Sequence, residues 1–249
     1  MEGVTAKPTK AMSQDNYSKI DWPNIPFFAG MNALSLDRVE AAAHYRCYQA
    51  GAVIFNEDED CAGFHIAVDG LVRIYRVSAE GRLHTLSLLR PPSTFNEVAA
   101  VDGGHNPFNA VAVTNANVMV ISHQSLINLM ATERTLLSNT VQVLAHLNRE
   151  YIERLEDMTF RTIPSRLAKL FLHETTYADQ ISETPSQLTQ EEMASILGTT
   201  REVVGRALRG LMNAGLLRKK GRYVYVVDRA GLEYLANTNA MPNERISKI

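Results

Sequence analysis

Two stretches of the chain carry side chains whose types and spacing could do chemistry. The first is "STFNEVAAVDGGHNPFNAVAV", residues 93–113, where the acid Glu97 stands among Asn96, Asn106 and Asn109 near two adjacent glycines. An acid among amides can meet a ligand's hydroxyl or amine groups. The stretch has no lysine or arginine, so nothing in it supplies the charge-assisted contact that favours phosphate. The second is "TTREVVGRALRGLMNAGLLRKKGR", residues 199–222, with seven basic residues from Arg201 to Arg222 and one acid, Glu202. Arginine bidentate to guanine, and a carboxylate accepting from the cytosine amino group, are contacts by which such side chains read base edges in a major groove.

Base reading requires a rigid support, and the flanking residues offer one. Thr189 and Glu192 form a T-x-x-E capping box, and "TQEEMASILG" ends on Gly198, a residue suited to close a helix. Thr199 and Glu202 offer the same box again, so two capped helices with a short turn between them spell a helix-turn-helix. On the second helix Val204, Ala207, Leu208 and Leu211 make a packing stripe. Glu202, Gly205, Arg206 and Arg209 fall opposite, with the glycine permitting close approach to a surface. Arg201, a cation in the first turn, opposes the helix dipole, which argues for a use outside the fold. Glu202 and Arg206 are also i, i+4 partners, an ordinary surface ion pair worth about 0.3–0.5 kcal/mol. Beyond the base-reading set Arg201, Glu202 and Arg206, the residues placed to touch DNA backbone are Thr189, Gln190, Thr200, Arg209, Lys219, Lys220 and Arg222.

Upstream the period of the chain changes twice. From Tyr48 to His123 short alternating apolar runs, "AVIFN", "GFHIAVDG", "LVRIYRVS", "LHTLSLLR" and "NVMVISH", are punctuated by glycines and turns, the pattern of a small all-β roll. Ahead of it "SLDRVEAAAHY" predicts a short helix capped by Ser35. From Ser125 to Phe160 no glycine or proline interrupts the chain, which predicts one long helix. On it Leu137, Val141, Leu144, Asn148, Tyr151, Leu155 and Met158 keep a 4-3-4-3-4-3 spacing, a heptad seam that predicts a parallel homodimer with Asn148 fixing register. Pro164 restarts a helix after a break that serves as a hinge. The resulting organisation is α+β: a flexible segment over 1–24, a β-roll over 25–124, a dimerisation helix over 125–160, and a winged helix-turn-helix with a short tail over 161–249.

Bulk properties bound the rest. The 249 residues are 45% hydrophobic and 21% charged, ordinary for a globular chain. No apolar run is long enough to span a membrane and no secretory signal opens the chain, so the protein is expected in the cytoplasm. Net charge is −2, but residues 1–160 carry 12 basic against 18 acidic side chains and residues 161–249 carry 13 against 9. A basic C-terminal part on an acidic protein is an electrostatic footprint for nucleic acid. Two cysteines are too few for a disulfide framework or an iron–sulfur cluster within one chain. A β-roll could also house a cupin-like metalloenzyme, but "GFHIAVDG" offers only His65, and no metal site or catalytic set is read.

"LTQEEMASILGTTREVVGRALRGLMNAGLL" resembles the helix-turn-helix of the cyclic-AMP receptor protein/FNR (Crp-Fnr) family of bacterial transcription regulators. The residues matching R-E-x-V-G-R are Arg201, Glu202, Val204, Gly205 and Arg206. The resemblance extends from about Ile25 to Asp228, with "IPFFAGMNALS" similar to the family's opening segment. It implies a cyclic-nucleotide-binding-like roll in the double-stranded β-helix style, a homodimer joined by the long helix, and RNA polymerase as a partner. By the same resemblance Arg201 and Arg206 read guanines and Glu202 the cytosine of a half-site similar to TGTGA in a palindrome. The family's nucleotide cassette resembles residues 96–109, with Glu97 retained. Its glycine is replaced by Asn96, and its arginine and hydroxyl positions fall around Asn106, Pro107 and Phe108.

The resemblance therefore implies an allosteric small-molecule effector that these residues do not favour as a cyclic nucleotide. Asn96, Glu97, Asn106 and Asn109 become its candidate contacts, joined by Asn148 and Tyr151 if the seam also lines the site as it does in the family. Haem stays open as a cofactor, since His44 and Cys47 could share a helix face. The positions matching the axial ligands of carbon-monoxide-sensing relatives, however, are Asn96 and Val98.

The two kinds of DNA contact separate experimentally. Replacing Lys219, Lys220 and Arg222 by alanine should weaken binding alike on all sequences and flatten the dependence on salt, whereas Arg206→Ala should relax base preference. Fluorescence anisotropy on matched and scrambled duplexes over a salt series checks both.

Overall fold

A computed structural model describes residues 20–176, 186 and 188–241. Most of the expected N-terminal segment, through residue 19, and the chain end from residue 242 lie outside the described residues. The chain divides into two compact units, residues 1–150 and 151–249, and the division falls inside a long helix. Among the described residues no helix is long and apolar enough to cross a membrane.

In the first unit two short 3-10 turns, Trp22–Asn24 and Pro26–Phe28, lead into α1 (Ala33–Ala42). Then follow β1 (Ala43–Tyr48), β2 (Val53–Phe55), β3 (Phe64–Asp69), β4 (Val72–Val77), β5 (Leu83–Leu89), β6 (Ser93–Phe95), α2 (Glu97–Asp102), β7 (Asn109–Ala112), β8 (Ala116–Ile121), α3 (His123–Thr132) and α4 (Arg134–Phe160). The strands form two antiparallel sheets, β1-β8-β3-β6 and β2-β7-β4-β5. Strand alternation sorts β3 between two cores. Phe64 and Ile66 join Phe27, Phe28, Met119, Leu126 and Leu136 on one side. Ala67 on the other joins Phe55, Val72, Phe95, Phe108 and Val118, contributed by both sheets.

Local expectations fail where tertiary contacts intervene. α1 is capped by Asn32, whose Oδ1 accepts from the Ser35 N–H at 2.9 Å, so Ser35 is not the cap. The helix stops at Ala42 because "AHYRCY" pairs with β8 along its whole length as β1. Residues three apart on a strand face opposite ways, so His44 and Cys47 do not share a face. The cassette is β6, α2 and β7 in succession.

The long helix expected over 125–160 is two helices. α3 is capped by Ser122, and the chain breaks at Glu133, which has extended backbone angles of φ −107° and ψ 90°. Glu133 is buried, and its carboxylate accepts the Ser35 hydroxyl and the Arg38 Nη1 N–H, each at 2.6 Å. These partners lie on α1, almost a hundred residues away, so no local period could announce the break. α4 starts again immediately, anchored by buried Leu136 and by Asn139 Nδ2, which donates to Phe27 O and Ala29 O at 3.0 and 2.8 Å.

The second unit holds α5 (Ile163–Thr176), α6 (Gln190–Leu197), α7 (Arg201–Asn213), β9 (Leu217–Lys220), β10 (Tyr223–Val226) and α8 (Arg229–Thr238). Leu167, Phe171, Met193, Leu197, Val204, Leu208, Leu211, Leu232 and Leu235 share one core drawn from all four of its own helices. α8 was expected only as tail. Asp228 caps it by accepting from the Gly231 N–H at 2.8 Å, and Leu232, Leu235 and Ala236 bury one face.

Hydrogen bonds from Ser35 and Arg38 hold the Glu133 carboxyl below its ordinary value. A depressed folded value stabilises the protein above the unfolded-state value, and that contribution is lost as pH falls through the folded value. Glu133→Gln should therefore melt below the wild type at neutral pH, with the gap narrowing below about pH 4. Thermal unfolding at the two pH values reads this directly.

Candidate nucleic-acid interface and effector cassette

The capping box at the start of α6 is present in full. Thr189 Oγ1 accepts from the Glu192 N–H at 3.2 Å, and Glu192 Oε2 accepts from the Thr189 N–H at 2.7 Å. Gly198 closes α6 in the left-handed region, φ 61°, and Leu197 O accepts from Arg166 Nη2 of α5 at 2.6 Å. Three residues later α7 begins with Thr200 as its cap residue, which displaces the second box expected from Thr199. The Glu202 carboxyl sits on this helix start. Hydrogen bonds from its own N–H and from the Thr200 hydroxyl, with Arg201 and Arg206 nearby, hold it below its ordinary value.

Val204, Ala207, Leu208 and Leu211 are buried as the stripe predicts. Arg201, Glu202, Arg206 and Arg209 are exposed. Gly205 is buried, and a Cβ there would meet Gln190 Oε1 at 3.4 Å. A side chain there would make ordinary contact with the end of Gln190, and position 205 itself lines the concavity between α6 and α7.

Between α6, α7 and the β9–β10 hairpin lies a concavity of about 650 Å³, whose lining includes Thr189, Gln190, Arg201, Arg209, Lys219 and Arg222. Residues far apart in sequence, all singled out for DNA, thus meet around one surface. Thr200, Glu202, Arg206 and Lys220 are exposed but do not line it. The hairpin also orders two arginines on tyrosines. Arg222 lies 5.0 Å from the Tyr223 ring centroid with Nη2 donating to its hydroxyl at 2.9 Å, and Arg218 lies 5.9 Å from Tyr225. Arg218 belongs to the basic run but was not among the residues assigned to DNA. The alternation of "LRKKGRYVYV" was its available signal, since antiparallel pairing sets Arg218 opposite Tyr225.

In the first unit, the cassette turns its asparagines inward. Asn96 is fully buried in the left-handed region, φ 65°. Its Nδ2 donates to Gly63 O at 3.0 Å and to Asn106 Oδ1 at 2.9 Å. Asn106, also buried, donates from Nδ2 to Asn56 O and Asp60 O at 3.1 Å each, and its Oδ1 accepts from the Ala62 N–H at 2.9 Å. Both amides are committed to bracing the 56–63 loop, apart from Asn96 Oδ1, which is buried without a partner. Asn109 Oδ1 accepts from the Glu57 N–H at 3.1 Å. Glu97 is half-buried and accepts from Thr94 Oγ1 at 2.7 Å, and burial pushes its carboxyl above the ordinary value. Of the proposed effector contacts, the structure gathers Asn96, Glu97, Asn106 and Asn109 in one region of the roll. Asn148 and Tyr151 are exposed positions of α4.

The profile of the cyclic nucleotide-binding domain matches residues 45–133, and that of the Crp-like helix-turn-helix domain matches residues 165–235. The chain is 28% identical over 185 residues to the CRP-like cAMP-activated global transcriptional regulator of Mycobacterium tuberculosis, covering 73% of this chain and 83% of that one. It is 28% identical over 211 residues to the cyclic AMP receptor protein of Thermus thermophilus, covering 85% and 96%. Its fold is shared with the c-di-GMP responsive global regulator CLP of Xanthomonas campestris at 20% identity, with a TM-score of 0.67, covering 79% of this chain and all of that one. A β-roll followed by a winged helix-turn-helix defines the class, and the chain belongs to the Crp-Fnr family of transcription regulators.

The brace makes a measurable demand. Asn96→Ala removes two hydrogen bonds to buried acceptors and puts alanine in the left-handed region, and should cost about 2–4 kcal/mol. Asn96→Gly, which keeps that backbone, should cost about 1–3 kcal/mol. Urea unfolding distinguishes the two.

Proposed function

We propose that the protein is a homodimer that binds a palindromic DNA site under the control of a small molecule held in the β-roll. The observation that carries this is the outward face of α7, where Arg201, Glu202, Arg206 and Arg209 stand exposed on a helix whose other face is locked into the core. Arg201 and Arg206 read guanines and Glu202 reads the cytosine amino group of a half-site similar to TGTGA. Thr189, Gln190, Thr200, Arg209 and the wing residues Lys219, Lys220 and Arg222 hold the phosphates. Hydrogen bonds at the helix start lower the Glu202 carboxyl further, in keeping with a carboxylate that accepts from cytosine.

Dimerisation runs through α4. Leu137, Val141, Tyr151, Leu155 and Met158 of the seam are 44%, 61%, 49%, 63% and 54% exposed in the single chain, an apolar line that a second copy would cover. Asn148 sits in that line as the register-setting polar residue. RNA polymerase is the further partner that regulation of transcription requires.

The effector is a molecule other than a cyclic nucleotide. The positions that would clamp a cyclic phosphate are Asn106, Pro107 and Phe108. Asn106 is committed to the loop brace, and Phe108 is buried in the core between the sheets. Neither can supply a cation, and a neutral amide is about half as strong a phosphate partner as a charged donor. Glu97 and the orphaned Asn96 Oδ1 offer acceptors to a ligand's N–H or O–H groups, and the orphaned Arg73 Nε of β4 offers one charged donor.

Leu155→Glu should convert the dimer to monomer in sedimentation velocity. It should weaken binding to a full palindrome by about a hundredfold, while an isolated half-site is bound as before. A wild type that sediments as a monomer and prefers no palindrome contradicts the proposal.

A further inference from the structure

The junction between α4 and α5 is held by the far end of the chain. Only Arg161 and Thr162 separate the two helices, and a helix end leaves terminal carbonyls and N–H groups without partners. Asn239, which closes α8 in the left-handed region at φ 59°, reaches both sides of this break. Its Nδ2 donates to Phe160 O, the last carbonyl of α4, at 3.0 Å, and its Oδ1 accepts from the Thr162 N–H at 3.1 Å. Three residues earlier Ala236 O accepts from Ser165 Oγ at 3.2 Å and from the Arg161 guanidinium. Arg161 Nε in turn donates to Asp157 Oδ1 at 2.5 Å, and Lys169 of α5 contacts both oxygens of that carboxylate at 2.6 Å.

These groups are near the surface, and water could satisfy the Phe160 carbonyl and the Thr162 N–H as well as an amide does. What water cannot do is fix their separation and direction. α5 carries α7 through shared packing of Leu167, Phe171, Leu208 and Leu211, so the angle set at residues 160–163 is the angle at which the reading helix leaves the end of α4.

We propose that Asn239 is a positioning residue for DNA reading, an amide latch by which α8 sets the α4–α5 angle and hence the geometry of the recognition helix. The latch rests on the homodimeric reading above, because an angle within each subunit becomes a separation between two reading helices only in a dimer. Rigid placement restricts binding to palindromes of one half-site spacing, and a loosened junction tolerates others.

The test measures affinity of the full chain for palindromes at the best spacing and at one base pair more and less. The wild type should discriminate strongly. Asn239→Ala should reduce that discrimination by about tenfold, the scale of two lost hydrogen bonds. Asn239→Gly, which keeps the left-handed backbone and loses the amide, should do the same, and Asn239→Asp, which keeps only the acceptor for Thr162, should fall between. Equal weakening on all three duplexes, with discrimination intact, overturns the latch even if affinity drops. Wild-type discrimination in Asn239→Gly overturns it too, since the backbone cap would then suffice. A wild type indifferent to spacing overturns the dimeric reading and the latch with it, whereas a discriminating wild type with discriminating variants sinks the latch alone.

Discussion

A buried carboxylate held by two donors decides how the long helix leaves the roll. Glu133 could continue a helix, yet its side chain is drawn onto Ser35 and Arg38 of α1, and the backbone at that point becomes extended. A charge of this kind is tolerated inside only when its lone pairs are met, so α1, the end of α3 and the start of α4 must come together for any of them to be stable there. Asn139, one turn and a half further on, repeats the device by holding two carbonyls of the entry turn. After these anchors Leu137 and Val141, the first two seam positions, are exposed on α4.

The cassette obeys the same rule of satisfying polar groups, with a different outcome. By the family resemblance, Asn96 stands in place of the cassette's glycine and Asn106 falls among the positions of its phosphate clamp. Here they tie loop 56–63 to α2. An amide has both donors and acceptors, so a pair of them can replace a ligand as the structural filler of a polar corner. His65 belongs to the same corner. It is fully buried between Phe55 and Phe95, shares the Gly63 carbonyl with Asn96, and is pushed down to about 4 by burial, which keeps it neutral. A roll organised this way can keep its shape without an anion, and the members of one family can answer to different signals while retaining one fold.

The second unit separates holding from reading. α5, α6 and α8 bury one face of α7, the capping box and the αL glycine set the turn, and the charged face is left to solvent. The wing arginines rest on tyrosines, which limits their rotamers before any phosphate is met. This lowers the ordering cost of a charged contact.

Much of this was legible in sequence wherever the deciding interaction is local. The capping box at Thr189, the closing Gly198, the packing stripe of α7 and the strand alternation of β3, β4, β5 and β8 all depend on residues within a few positions of one another. The failures have one physical cause. The break at Glu133, the strand fate of "AHYRCY" and the inward turn of Asn96 and Asn106 are each fixed by partners between 10 and 98 positions away. α8 is an intermediate case, since its cap and apolar spacing were present but its purpose depends on Phe160 and Thr162. The sequence by itself determined the class of protein and the exposed, charged face of α7, because propensity, capping and periodicity are local. Only the tertiary structure decided which polar side chains remain available to a ligand, because that depends on which backbone groups the rest of the fold has left unsatisfied.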